Sequence, residues 1–235
     1  MLKKAWTIAT VNMKNIHAAY IVTAIGFVYI VFVHYVLAVI AVAKGMDILP
    51  NTILSAAWTL WLLIPLAAIL VPTRNFNRTI NLGAKRNSVF IGSLMFNVVV
   101  AGAVSLVSIL ISYVGDKAID KVGSLGHVLV IQDVFGWGTH GPVVAFLQQF
   151  AFLFLAITFI HTLSAAHRKW YGLVADVVII AIIVVFNTKT TLRADLTRFF
   201  HTILFGSAPW QIPTCLILGA VIYAVNKPLL TAKAI

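Results

Sequence analysis

The sequence predicts an all-α polytopic membrane protein. Six transmembrane helices are expected, with an N-terminal amphipathic helix and a second amphipathic helix before the last span. Three observations predict this. The 235 residues are 61% hydrophobic and only 10% charged, with mean hydropathy +1.02, where a soluble domain carries about 25% charged residues. Apolar runs recur, each near the length that crosses a hydrocarbon core of ~30 Å. Basic residues collect on alternate connections between those runs.

Residues 1–16 are expected to form an interfacial elbow helix. Leu2, Trp6, Ala9, Met13 and Ile16 make one narrow stripe, mildly broken by Ile8 and Val11, with Lys3, Lys4 and Lys14 opposite. An apolar stripe with Trp against a lysine face suits a helix lying in the membrane surface. The first span is 18–42. Tyr20, Phe27, Val31 and His34 share one of its faces, and a histidine at that depth is either packed or faces a pathway. The second span, 53–71, carries Trp58, Trp61 and Pro65. The proline permits a kink; the tryptophans suit interfacial anchoring or cargo contact alike.

The stretch TRNFNRTINLGAKRNSVF follows, holding Arg74, Arg78, Lys85 and Arg86 and no acid. Its segment 75–86 is read as a cytosolic loop. On the third span, 88–114, Asn97, Ala101, Ser105, Ser108 and Ser112 share one side, and small residues there suit close helix packing. Residues 115–141 form a long outer connection with six glycines, in which HVLVIQDVF suits a short surface helix or strand. The fourth span, 143–166, is rich in Phe and holds Gln148, Gln149 and His161.

A tight basic turn of His167, Arg168 and Lys169 leads to the fifth span, 172–186. Asp176 is the only acid this reading places inside a span; it pairs with Arg168 or Lys169, snorkels to the interface, or serves proton or cargo movement. Residues 190–206 form the outer amphipathic helix, striped by Leu192, Leu196, Phe199 and Ile203. Thr190 or Thr191 caps it, and Gly206 with Pro209 ends it. The last span, 210–225, is short and suits a re-entrant element.

With the N-terminus inside, the inner segments hold eleven cations: Lys3, Lys4, Lys14, Arg74, Arg78, Lys85, Arg86, Arg168, Lys169, Lys227 and Lys233. The outer segments hold six: Lys44, Lys117, Lys121, Lys189, Arg193 and Arg198. The acids are all Asp, none of them inner. The positive-inside rule then places both termini in the cytoplasm of a cell membrane, with a bacterial plasma membrane expected. The pI of about 10.1 follows from that orientation and from attraction to anionic lipid, and no nucleic-acid partner is expected.

Chemistry is scarce. The sequence has no P-loop, no Cys/His metal spacing and no GxSxG elbow. It has no Glu at all, which removes paired-glutamate and HExxH chemistry. His34, His161 and Asp176 come from three different helices without motif spacing. The lone Cys215 forms no internal disulfide. No catalytic role and no metal are expected, so any work done by the chain needs energy from a partner.

Taken together, a basic elbow helix, six spans, the inner segment RNFNRTINLGAKRNSVFIGSL, a basic turn at 167–169 and an amphipathic outer helix before a short last span resemble a known arrangement. It is similar to the permease subunit of an ABC-2 type exporter, in particular bacterial half-transporters linked to peptide export or bacteriocin immunity. The most local element is Arg78, Gly83 and Arg86; the connection 115–141 is longer than the family's. The resemblance implies two permeases, this chain twice or with a sister subunit, and two separate ATPase subunits in a 2:2 complex. ATP and Mg would sit on the ATPase, leaving this chain without a cofactor. Coupling would run through Arg74, Asn77, Arg78, Gly83, Lys85 and Arg86, with His167, Arg168 and Lys169 as secondary contacts.

A pathway between first, second and fifth spans would be lined by Tyr20, Phe27, His34, Trp58, Trp61 and Asp176. Such a lining suits an amphipathic or hydrophobic cargo, such as a membrane-active peptide or a lipid-like molecule. Two other readings fit the same spans: a substrate-binding module of an energy-coupling vitamin importer, with 115–141 as its lid, and a non-transport membrane scaffold.

Overall fold

The phenylalanine-rich segment in the middle of the sequence is also the middle of the bundle. A computed structural model describes residues 2–36, 39–40, 43–44, 52–116, 127–167, 170–188 and 190–231. In chain order the elements are α1 (Leu2–Asn15), α2 (His17–Ile30), β1 (Thr52–Leu54), α3 (Ala57–Asn81), α4 (Arg86–Asp116), β2 (His127–Leu129), α5 (Ile131–Val134), α6 (Pro142–Ala166), α7 (Trp170–Thr188), α8 (Thr190–Phe205) and α9 (Ala208–Thr231). α6 packs against α3, α4 and α9. The core joins Ile64, Ala67 and Ala68 of α3, Phe96, Val100 and Val104 of α4, and Leu153, Phe154 and Ile157 of α6.

Among the described residues, α3, α4, α6 and the Ala208–Pro228 part of α9 are each long and apolar enough to cross a membrane. α1 and the run His17–Val33 meet at 50° and pass the same test as a pair, while α7 contributes the shorter apolar run Gly172–Ile182. Aliphatic side chains such as Ile25, Val28, Val177 and Ile180 lie exposed on the helix surfaces, as a lipid-facing exterior requires. The protein is membrane-embedded. α2 begins and α3 ends at one pole, here called the basic end; the opposite pole is the cap end.

The helices are irregular where their sequence demands it. Pro65 has no N–H and crowds the preceding turn. Around it the ladder tightens to three-residue spacing, with bonds from Trp61 N to Trp58 O, Leu62 N to Thr59 O and Ile64 N to Trp61 O. Wide π-type turns occupy Val31–Val36, Val71–Asn75 and Ile111–Asp116; Pro72 opens the second. Asn97, Ala101, Ser105, Ser108 and Ser112 of α4 are all buried, so the small-residue side of this helix is a packing face.

Several elements differ from the sequence expectation. The all-α class holds, with one small addition: β1 and β2 form a parallel two-stranded sheet, with Thr52 opposite His127 and Leu54 opposite Leu129. The last helix is not short. It runs from Ala208 to Thr231, carrying Pro213 and Pro228 inside it, and needs no re-entrant start. The outer segment 115–141 is no simple surface loop over its described part: Ile131, Gln132 and Trp137 are fully buried. The elbow helix also faces differently. Ala5, Ile8, Ala9 and Asn12 are buried while Leu2 and Trp6 are exposed. Ile8, which broke the sequence stripe, is the residue that α4 covers. A Cβ on Gly92 of α4 would lie 2.7 Å from the Ala5 carbonyl oxygen and 2.8 Å from Ile8 Cβ. Only glycine lets the two helices lie this close.

Candidate functional site

At the basic end α3 and α4 form a hairpin whose connection is four residues, 82–85, and not the loop over 75–86 that the basic stretch suggested. α3 runs on to Asn81, because NRTIN contains no breaker and Phe76 and Thr79 are buried. Gly83 then adopts φ +82°. Gly83 N donates to Ile80 O at 2.8 Å and Ala84 N to Thr79 O at 3.2 Å, which is the Schellman end of a helix. Lys85 is extended and starts α4. Phe76, Ile80, Ala84, Val89 and Phe90 pack with Ile8 and Ala165, so the hairpin is braced by α1 and α6. Arg78 Nη1 donates to Asn15 Oδ1 at 3.4 Å.

The hairpin therefore presents an ordered basic surface. Arg74, Asn77, Arg78, Gly83 and Lys85 are exposed and Arg86 is half-buried. Between them Leu82 stands 78% exposed, an apolar knob at the tip that sequence reasoning missed. Its signal was the position just before the capping glycine, where a side chain has left the packed face. Gly83 itself supplies the left-handed turn.

His167 lies beside Asp176, with Nε2 3.1 Å from the carboxylate, while its Nδ1 is 3.1 Å from Leu163 O. Asp176 thus has its own partner at the basic end. Arg168 and Lys169 lie outside the described residues. Nδ1–H donates to the carbonyl and Nε2–H to the carboxylate when both ring nitrogens carry a proton.

The pathway residues whose side chains are described lie at separate places: Tyr20 and Phe27 on α2, Trp58 and Trp61 at the cap end and Asp176 at the basic end. Tyr20 is exposed and Phe27 half-buried on α2; the side chain of His34 lies outside the described residues. Trp58 and Trp61 sit at the cap end. Trp61 stacks on Phe135 with ring centroids 5.8 Å apart and lies 6.2 Å from Trp137 and 5.5 Å from Phe152. Trp58 Nε1 donates to Leu129 O at 3.1 Å. Both are elements of a packed aromatic cluster, at the opposite pole from Asp176.

The cap end also holds polar residues that sequence reasoning passed over. Asp116 was assigned to the outer loop, yet it is buried at the last turn of α4. It accepts hydrogen bonds from Tyr35 Oη at 2.7 Å and Ser55 Oγ at 2.5 Å. Trp137 Nε1 donates to Leu204 O of α8 at 2.9 Å. Gln132 Nε2 donates to Gln149 Oε1, and Gln148 Nε2 to Gln211 Oε1. The first two bonds join the wide turn after α2 and the residue after β1 to the end of α4; the others join α5 and α9 to α6, and Trp137 to α8. The pattern was readable only in part: paired Gln148 and Gln149 in an apolar helix announce interior partners, but not which. Among the described residues no group of three or more His, Cys, Asp or Glu is placed to hold a metal. No family model, curated protein or solved structure matches this chain.

Proposed function

We propose that this chain is the membrane subunit of an ATP-driven ABC exporter, coupled through its basic end to a separate ATPase subunit. The single observation that carries the reading is the α3–α4 hairpin: a braced, acid-free tip with Leu82 exposed among Arg74, Asn77, Arg78 and Lys85. An apolar anchor ringed by cations suits an acidic, grooved protein surface. Topology alone requires the positive charge; it does not require an exposed leucine on a rigid turn. The hairpin is continuous with both helices, directly with α4 and through the wide turn Val71–Asn75 with α3, so movement at the tip reaches both.

On this reading six passes cross a bacterial plasma membrane with both termini in the cytosol. Two permeases pair with two ATPases, which bind the ATP and Mg. Cargo of amphipathic or hydrophobic character, such as a membrane-active peptide, meets Tyr20 and Phe27 on the α2 surface between paired subunits. The buried packing of Ile131 and Trp137 favours this over a ligand lid of the importer kind. The test is co-purification with ATPase subunits encoded beside this gene. Leu82→Asp and Arg74→Glu each remove a hot-spot contact worth about 2 kcal/mol, so ATPase retention should fall about thirtyfold with insertion intact. Retention equal to the unmodified chain refutes the dock.

A further inference from the structure

The cap end buries a carboxyl group whose hydrogen bonds have a fixed direction. Asp116 closes the last turn of α4 and is 1% exposed. Ala56 N donates to Tyr35 Oη at 3.1 Å, and Tyr35 Oη donates to Asp116 Oδ1 at 2.7 Å. Ala57 N donates to Ser55 Oγ at 3.1 Å, and Ser55 Oγ donates to Asp116 Oδ2 at 2.5 Å. Each hydroxyl receives a backbone N–H on one side and gives its own hydrogen on the other. Both carboxyl oxygens are therefore acceptors, which is the pattern of an ionised carboxylate; a protonated acid would make one of them a donor.

Among the described residues nothing neutralises this charge. The partners of Asp116 are hydroxyls, and the ion pairs between described residues involve Asp176 and Asp195. An anion at the C-terminal end of a long helix also meets the negative pole of the helix dipole. Beside it stands an oxygen with no task. Ser112 faces the same carboxylate from the preceding turn, yet its buried hydroxyl lacks the geometry of a formed hydrogen bond to any group. An unpartnered polar atom at 1% exposure calls for a ligand. The last carbonyls of a helix likewise have no N–H within it.

We infer that the last turn of α4 binds a monovalent alkali cation, sodium being the probe of choice, through the Asp116 carboxylate and Ser112 Oγ, with carbonyls at the helix end completing the shell. Tyr35 and Ser55 hold the carboxylate in place and leave its remaining lone pairs to the ion. The donors are all oxygen, which selects a hard cation over a soft one. A single carboxylate selects one positive charge, since calcium sites gather several carboxylates. The C-terminal ends of interrupted helices coordinate sodium in other membrane proteins, and here the wide turn Ile111–Asp116 interrupts α4 just where Asp116 lies. Tyr35 is only half-buried, so the site has a rim near the surface. A bound ion would tie the end of α4 to the Val31–Val36 turn and, through Ser55, to β1. This inference does not rest on the exporter reading.

The test uses the full chain in nanodiscs and radioactive sodium in a scintillation-proximity assay, with choline chloride keeping the ionic strength constant. Saturable binding of one sodium per chain is expected. Ser112→Ala should weaken it about tenfold, and Asp116→Asn should abolish it. Ser105→Ala is the control: its buried hydroxyl lies on the same helix but is engaged by Ala101 O at 2.8 Å, so sodium affinity should equal that of the parent chain. No saturable sodium binding would overturn the site, as would equal affinity in Ser112→Ala and Ser105→Ala. Displacement of sodium by micromolar calcium would overturn the monovalent assignment; sodium retained under calcium supports it. Gel filtration reports whether each variant is folded, and if Asp116→Asn is not, the comparison of Ser112→Ala with Ser105→Ala decides alone.

Discussion

Gly92 offers the sharpest test of how the elbow helix is held. In Gly92→Ala the new Cβ would lie 2.7 Å from the Ala5 carbonyl oxygen, 2.8 Å from Ile8 Cβ and 2.9 Å from Ile8 Cγ2. Carbon atoms settle at roughly 3.5–4.0 Å, so α1 must withdraw by about 0.5–1 Å. The obstacle is backbone and the β-branched base of a side chain, which no rotamer change relieves. Overpacking of this kind costs about 1–3 kcal/mol. Replacing glycine by alanine inside a helix returns up to about 1 kcal/mol, so the net loss should be about 1–2 kcal/mol. Gly102, on the same helix, is the internal control: a Cβ there meets nothing nearer than the Phe150 ring at 3.9 Å. Gly102→Ala should therefore keep only the favourable helix term. Hydrogen exchange over residues 2–15, measured in nanodiscs, should accelerate about 5- to 30-fold in Gly92→Ala and stay unchanged in Gly102→Ala. Equal protection of α1 in the two variants would refute the close-contact argument.

Two further perturbations address the cap end. Trp137→Phe keeps an aromatic ring in the cluster but removes the donor to Leu204 O, costing about 1–3 kcal/mol for the orphaned carbonyl; Trp137→Ala should cost about 3–5 kcal/mol. Thermal unfolding and limited proteolysis within 190–205 would detect the loosening of α8, and an unaltered α8 in Trp137→Ala would contradict it. Asp116→Ala leaves the Tyr35 and Ser55 hydroxyls without their common acceptor, at about 1–3 kcal/mol, while Asp116→Asn retains one acceptor oxygen and should lose less. Exchange of the 52–55 and 127–129 amides reports it. Equal loss in the two variants would place the effect in the charge and not in the shared acceptor.

Much of the helical framework was legible because lipid imposes a simple rule: long apolar runs with polar ends. The bounds of α4 and α6 lie close to the spans expected at 88–114 and 143–166, whereas α3 runs on to Asn81, well past the end expected at 71. The elements that escaped are those set by particular partners. The elbow's buried face depended on a glycine 80-odd residues away, since a small side chain on α4 decides which side of α1 is covered. The length of the inner loop was misjudged because polar residues can continue a helix beyond the membrane. NRTIN does so until Gly83 supplies the left-handed turn. Asp116 looked like loop because it follows a glycine; the wide turn at Ile111–Asp116 instead keeps it in the helix. Pairing of β1 with β2, across more than 70 residues of chain, left no local mark beyond a short apolar alternation.

These departures make the two poles unlike each other. The cap end is closed by a parallel strand pair, a stacked aromatic cluster around Trp61 and the hydrogen bonds of Asp116, Trp137, Gln148 and Gln149. Each is short-ranged and mutually supporting, so the ends of α2, α3, α4, α6 and α8 are held to one another there. The basic end is held by aliphatic packing of Ile8, Phe76, Val89 and Ala165, by the buried Tyr223 hydroxyl donating to Phe90 O at 2.6 Å, by one long Arg78–Asn15 bond, and by the half-exposed His167–Asp176 pair. Apolar contacts are non-directional and tolerate sliding, and exposed ion pairs contribute little. At the cap the wide turns Val31–Val36 and Ile111–Asp116 meet through the Tyr35–Asp116 hydrogen bond, so the irregular ends of two helices are fixed to one another there.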